Sequence, residues 1–284
     1  MLYGKRDNSS SCHSRKSAVH RDRNPGKICE LGTPKSFSGK SCGEVTMLLK
    51  PEDLQHDLDR LEEIEKVTLW LVVQAIYDYR ETALEIFREE GDLVSDIGED
   101  ITREALDRLG MPRIDKRLFG KVDYKHACYL FHPDYAIKQA LFVDSKAEKM
   151  SERGTATLQI SQLSMVVKQI RSGQEVEVQG KMPTVITLRG EKYLTTTLFV
   201  KYNYDEEKSG VHTLKSIIVA AVPNGMLQER HNPTPQDTIW RAGRNAPSLG
   251  EEFRVCLKFS LLKQKATWHV QTIPMPPEPF HWSS

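Results

Sequence analysis

Apolar residues recur three or four apart from Leu54 through Leu58, Leu61, Ile64, Trp70 and Leu71, the period that lines one face of an α-helix. Pro51 opens the segment and Glu and Asp crowd its first turns, where a missing amide is tolerated and the helix dipole favours acid. On this reading Trp70 belongs to the core. A second helix is predicted through "AIYDYRETALEIFREE" to Gly91. A third runs from about Glu99 through "ITREALDRLG", with Gly110 and Pro112 as stop signals. After Met111 the pattern turns strand-like, at 118–130, 137–143, 195–205, 215–223 and 252–262, each bounded by turn residues. "TATLQISQLSMVVKQI" at 155–170 reads as a helix packed on the sheet. Helices first, then a mixed sheet with a crossover helix, predict an α/β (α+β) fold in one domain over residues 47–284.

Residues 1–46 have no such period. They are rich in Ser, Gly and Lys, which predicts a disordered basic tail. Met47 follows at once, so two explanations stand: a misplaced gene start, or a basic arm that tracks a polyanion. The tail also changes the reading of charge. It holds nine of the 40 Lys and Arg but four of the 39 Asp and Glu, so the body is mildly acidic although the whole chain is +1. Bulk charge therefore gives no reason to expect nucleic acid, and such a claim must rest on local clusters. No run approaches the roughly 18 apolar residues of a membrane span, and no apolar stretch follows the basic N-terminus, so no membrane partner and a cytoplasmic location are expected. Five scattered cysteines without a C-x-x-C pair predict neither a disulfide framework nor a zinc site.

Candidate chemistry lies in "QALFVDSKAEK", residues 139–149, where an apolar run meets Asp144 and Lys146. "HPDY" at 132–135 has the residues of a turn. If His132 faces Tyr135, paired residue numbers sum to 267, and Asp123 stands directly opposite Asp144 with Cβ atoms about 5 Å apart. Strand alternation puts Lys146 on the same face, with Val143 and Ser145 on the other. Two carboxylates that close repel unless a cation lies between them, and oxygen ligands suit Mg²⁺. Lys146 would then stabilise developing charge or help to deprotonate a water, which describes metal-assisted phosphodiester hydrolysis. The competing reading is a buried strand that ends in a solvated ion pair, and D-x-K alone arises by chance. Pro133 suits turn types that tight hairpins avoid, so a bulge could shift the register by one residue. The literal Pro133-Asp134 would stand at the turn tip, which favours Asp123 as the partner.

Several stretches carry a resemblance. "GEDITREAL" (98–106), "FGKVDYK" (119–125), "LFVDSKA" (141–147), "VPNG" (222–225), "NP" (232–233) and "RAGR" (241–244) occur in the order of the SfiI/BglI family of type II restriction endonucleases. The likeness runs from about Met47 to about Trp268. It implies the PD-(D/E)XK nuclease fold, a prokaryotic source, Asp123 and Asp144 as Mg²⁺ ligands, and Lys146 as the residue that assists the water. It makes Glu99 a further carboxylate near the metal, contributed from a helix start; plain N-terminal helix charge is the alternative.

The same resemblance implies double-stranded DNA as partner and cleavage within an interrupted GC-rich palindrome (GGCC-N5-GGCC-like) that leaves 5′-phosphates. Arg153, Arg244, Asn245 and Arg254 fall at base-reading positions, where arginine matches guanine; a phosphate contact or a surface charge competes for each. One departure is Arg254-Val255-Cys256 where the family strand shows Arg-x-Arg. Lys258, on the same face, is the candidate to compensate. A palindrome read by one kind of chain implies a two-fold homo-oligomer, and the closer likeness to the SfiI branch favours a tetramer over a dimer. A nuclease without sequence preference, acting on repair or branched DNA, and a non-cleaving DNA-binding relic are the rival readings.

Overall fold

No glycine or proline interrupts residues 58–89, and they form a single 32-residue helix, α1 (Leu58–Glu89), after a 3₁₀ turn at Pro51–His56. The two helices expected over this stretch are therefore one. In the computed structural model, residues 48–89, 94–114, 126–150, 154–208, 210–242 and 254–284 are described; the expected N-terminal tail lies outside them. Helix α2 spans Val94–Asp107 and begins earlier than Glu99. On α1 the buried stripe runs Leu61, Ile64, Leu69, Val72, Val73, Ile76, and Trp70, off that stripe, is 37% exposed rather than core.

The strands are β1 (His126–His132), β2 (Ile137–Lys149), β3 (Thr155–Gln159), β4 (Val166–Arg171), β5 (Gln174–Gln179), β6 (Val185–Leu188), β7 (Glu191–Glu206), β8 (His212–Val222), β9 (Trp240–Ala242), β10 (Arg254–Lys258) and β11 (Val270–Pro274). Two short helices, α3 (Gln228–His231) and α4 (Phe259–Lys265), follow β8 and β10. The main sheet is mixed, in the order β1-β2-β7-β8-β11, with β6 also paired to β7. β2 and β7 are its parallel pair; the other described pairings are antiparallel. A second sheet is ordered β3-β10-β9, and β4 with β5 forms a separate hairpin.

Expectation and structure differ most at residues 155–170. The segment is strand, 3₁₀ turn and strand rather than a helix. In Thr155–Gln159 burial alternates, with Ala156 and Leu158 inward, and this period of two overrides the apolar spacing that suggested a helix. The crossover between parallel β2 and β7 is accordingly built from strands. "FSLL", expected as strand, begins α4.

The main sheet has two covered faces. On one, Leu141, Val143, Leu198, Val200, Tyr202, Ile217 and Val219 pack under α1 and α2. On the other, Phe199, Ala220, Val222 and Val270 pack against Ala156, Leu158, Trp240, Val255, Leu257 and Phe259 from the second sheet and α4. Both faces of β2 and β7 are thus enclosed, which is why these strands read as long apolar runs.

Candidate active site

Alternation along β2 turns Val143, Ser145 and Ala147 toward the helices and leaves Phe142, Asp144, Lys146 and Glu148 on the side of the second sheet. The strand does not end at Val143 as expected; it continues to Lys149, so this charged set stands on regular strand backbone. Parallel pairing sets Asp144 beside Phe199 and Lys146 beside Lys201 of β7. The Asp144 side chain is 13% exposed, and its Oδ2 is 3.5 Å from Lys146 Nζ. That ammonium donates to the Thr157 carbonyl at 2.6 Å and lies 5.6 Å from the Phe199 ring centroid. Among the described residues, Asp144 Oδ2 is buried and accepts no hydrogen bond. A buried carboxylate oxygen without a donor is costly, and a hard cation with oxygen ligands is one way to satisfy it. Asp144 therefore fits the oxygen-ligand chemistry of Mg²⁺. Among the described residues no group of three His, Cys, Asp or Glu side chains could hold a metal ion.

Asp123, the expected second carboxylate, lies outside the described residues. The hairpin register does differ from expectation. His132 pairs with Ile137 and His126 with Val143, so paired numbers sum to 269. The loop is four residues, Pro133 to Ala136, and Ala136 has φ 49°. A longer loop with a left-handed residue replaces the two-residue turn that Pro133 would strain. The shift of two moves the register along β1 without exchanging the faces of the ladder.

Glu99 sits in the second turn of α2, not at its start. The preceding Gly98 explains the closeness of helix and strand there, since a Cβ on it would meet Ala147 N at 3.1 Å and Tyr202 Cδ2 at 3.0 Å. Thr102 fixes the same contact through a 2.8 Å hydrogen bond to the Tyr202 hydroxyl. Glu99, half-buried, is thereby brought to the end of β2 that carries Lys146, although α2 covers the face opposite Asp144.

The expected DNA-reading residues divide. Arg153, Arg244 and Asn245 lie outside the described residues. Arg254, Cys256 and Lys258 alternate with buried Val255 and Leu257 on β10, and are set against Gln159, Thr157 and Thr155 of β3. Cys256 Sγ is 3.7 Å from Thr157 Oγ1, so β10 and the Lys146 ammonium meet on one residue. Three participants escaped the sequence reading. Arg241, exposed on β9, pairs with Cys256; it was visible only as part of "RAGR". Thr157 was hidden in the supposed helix. Lys201 had one signal, a lysine inside the apolar run "LFVKY".

Residues 78–273 match the family model described as type II restriction enzyme SfiI. The type II restriction enzyme SfiI of Streptomyces fimbriatus is 33% identical over 231 residues, covering 76% of this chain and 85% of that protein. The crystal structure of tetrameric SfiI bound to cognate DNA superposes with a TM-score of 0.68 at 33% identity, over 78% of this chain and 88% of that one. The restriction endonuclease BglI bound to its DNA recognition sequence gives a TM-score of 0.66 at 18% identity, over 80% and 94%. At that identity the likeness is one of fold.

Proposed function

The chain belongs to the SfiI family of type II restriction enzymes, and from that premise we propose that it is a Mg²⁺-dependent endonuclease that cuts duplex DNA within an interrupted GC-rich palindrome. The observation that carries this reading is the ion pair of Asp144, whose buried Oδ2 accepts no hydrogen bond among the described residues, with Lys146 on one face of the central parallel strand.

Asp144 is the proposed metal ligand, joined by Asp123. These two carboxylates would hold a divalent cation, which would supply Lewis-acid polarisation of a phosphoryl oxygen. Lys146, anchored by the Thr157 carbonyl yet 36% exposed, offers its remaining protons to the phosphate and stabilises charge as the attacking water loses its proton. The water oxygen bonds to phosphorus as the P–O3′ bond breaks, its proton passes to solvent and the leaving 3′ oxygen takes one up from solvent, so the phosphate stays on the 5′ end. Base reading is assigned to Arg153, Arg244, Asn245, Arg254 and Lys258. Cys256 cannot make the two parallel hydrogen bonds by which arginine reads guanine, so we expect one base pair of each half-site to depart from GGCC. A homotetramer of two DNA-binding pairs suits a palindromic site, in keeping with the tetrameric relative.

The test is incubation with phage DNA and Mg²⁺. Discrete fragments with 5′-phosphates are expected, and lost when EDTA replaces the metal. A smear would replace this reading with an unspecific nuclease, and intact DNA at every enzyme concentration would overturn it. The relic reading is disfavoured because Asp144 and Lys146 are both retained and paired.

A further inference from the structure

We propose that Lys201 is a positioning residue that keeps Lys146 free for the phosphate by holding the competing carboxylate of Glu148. The inference rests on the reading of Asp144 and Lys146 as the cleavage site. Lys201 stands in the middle of β7 between fully buried Val200 and Tyr202, and is itself 2% exposed. A buried ammonium is costly unless it is paired and hydrogen-bonded. Its Nζ meets both needs, with Glu148 Oε2 at 2.6 Å and the Thr155 carbonyl at 3.1 Å.

Glu148 follows Lys146 by two residues and therefore shares its face of β2. Lys146 lies between two carboxylates of its own strand, Asp144 before it and Glu148 after it. Neighbours on one strand face are about 7 Å apart at Cα, within the span of two extended side chains. What decides between them is the partner across the parallel pair. Lys201 stands beside Lys146 and occupies Glu148, so the Lys146 ammonium turns toward Asp144 at 3.5 Å. The two lysines also donate to alternate carbonyls of β3, Lys146 to Thr157 and Lys201 to Thr155. Lys201 thus has a charge role at Glu148, which decides the competition for Lys146, and a docking role at β3, the strand that also holds Lys146 through Thr157.

Removing the ammonium while keeping the packing separates these roles. Lys201→Met frees Glu148 to draw Lys146 away; kcat on a DNA fragment carrying one mapped site is expected to fall about 10- to 100-fold, the scale of an ångström's misplacement, with KM little changed. Lys201→Gln keeps a donor for the Thr155 carbonyl and covers the case in which the methionine variant does not fold. Adding Glu148→Gln to either variant removes the competitor, and most of the lost kcat is expected to return. A purely structural role predicts no rescue. Full activity in Lys201→Met, or a double variant as slow as the single one, overturns the inference. Wild-type protein that leaves the fragment uncut sinks the underlying reading instead.

Discussion

Asp144 Oδ2, shielded from water, accepts no hydrogen bond among the described residues and has the Lys146 ammonium at 3.5 Å, an arrangement that suits it to a cation. Asp144→Asn is expected to lower single-turnover cleavage by at least about 10³-fold, equivalent to about 4 kcal/mol, while the variant still retards duplex DNA in a gel. Cys256→Arg restores a guanidinium beside Arg241 and Thr157. It is expected to change the preferred base pair at one position of each half-site by about 1–3 kcal/mol, read by sequencing the ends of the fragments. Asp144 and Lys146 were legible in the sequence because alternation along a strand needs only the order of residues. Lys201 and Thr157 were not, since their importance comes from partners 53 and 11 positions away.

Helix α2 reaches β2 only because Gly98 has no side chain. Gly98→Ala would press a methyl group against the Ala147 backbone at 3.1 Å and the Tyr202 ring at 3.0 Å, and is expected to cost about 1–3 kcal/mol, measured as a lower urea midpoint. Helix α1 carries another constraint. Glu65 is buried, its Oε1 accepts the Asn224 backbone N–H at 2.8 Å, and its Oε2 has no hydrogen-bond partner among the described residues. Burial, which outweighs that hydrogen bond, pushes its carboxyl up to about 8 from the usual 4.5, with help from nearby Glu62. Between those values the folded protein holds a proton that the unfolded chain has released, so this residue's contribution to stability falls as pH rises from 4.5 to 8. Glu65→Gln is expected to flatten that decline; parallel urea midpoints of the variant and the wild type at pH 6, 7 and 8 would contradict it. The helices were legible from their apolar stripes, and α1 could have been read as one, since nothing between Leu58 and Glu89 breaks it. The second sheet was not. Thr155–Gln159 alternates for five residues only, and its buried side rests on Phe259 and Trp240, more than 80 positions later.

The assembled enzyme should show its stoichiometry and its electrostatics in solution. Sedimentation equilibrium is expected to give about four times the 32.4 kDa of one chain, with a dimer as the result that would revise the assembly. Duplex affinity should fall steeply with salt, as phosphate contacts release counterions, and a chain begun at Met47 should cut the same sites if residues 1–46 are dispensable.

One property of the main sheet also governs when the activity appears. Antiparallel neighbours such as β1 and β2 can zip from a short loop, but β2 and β7 run parallel and their paired residues are 55 apart. Contacts so distant in sequence form slowly, because the entropy of closing the intervening chain must be lost before they stabilise anything. A ribosome that has released Lys146 has not yet made Phe199 or Lys201. The nascent chain carries Asp144 and Lys146 before the strand against which they stand, so on the proposed reading DNA cleavage would wait on completion of the sheet.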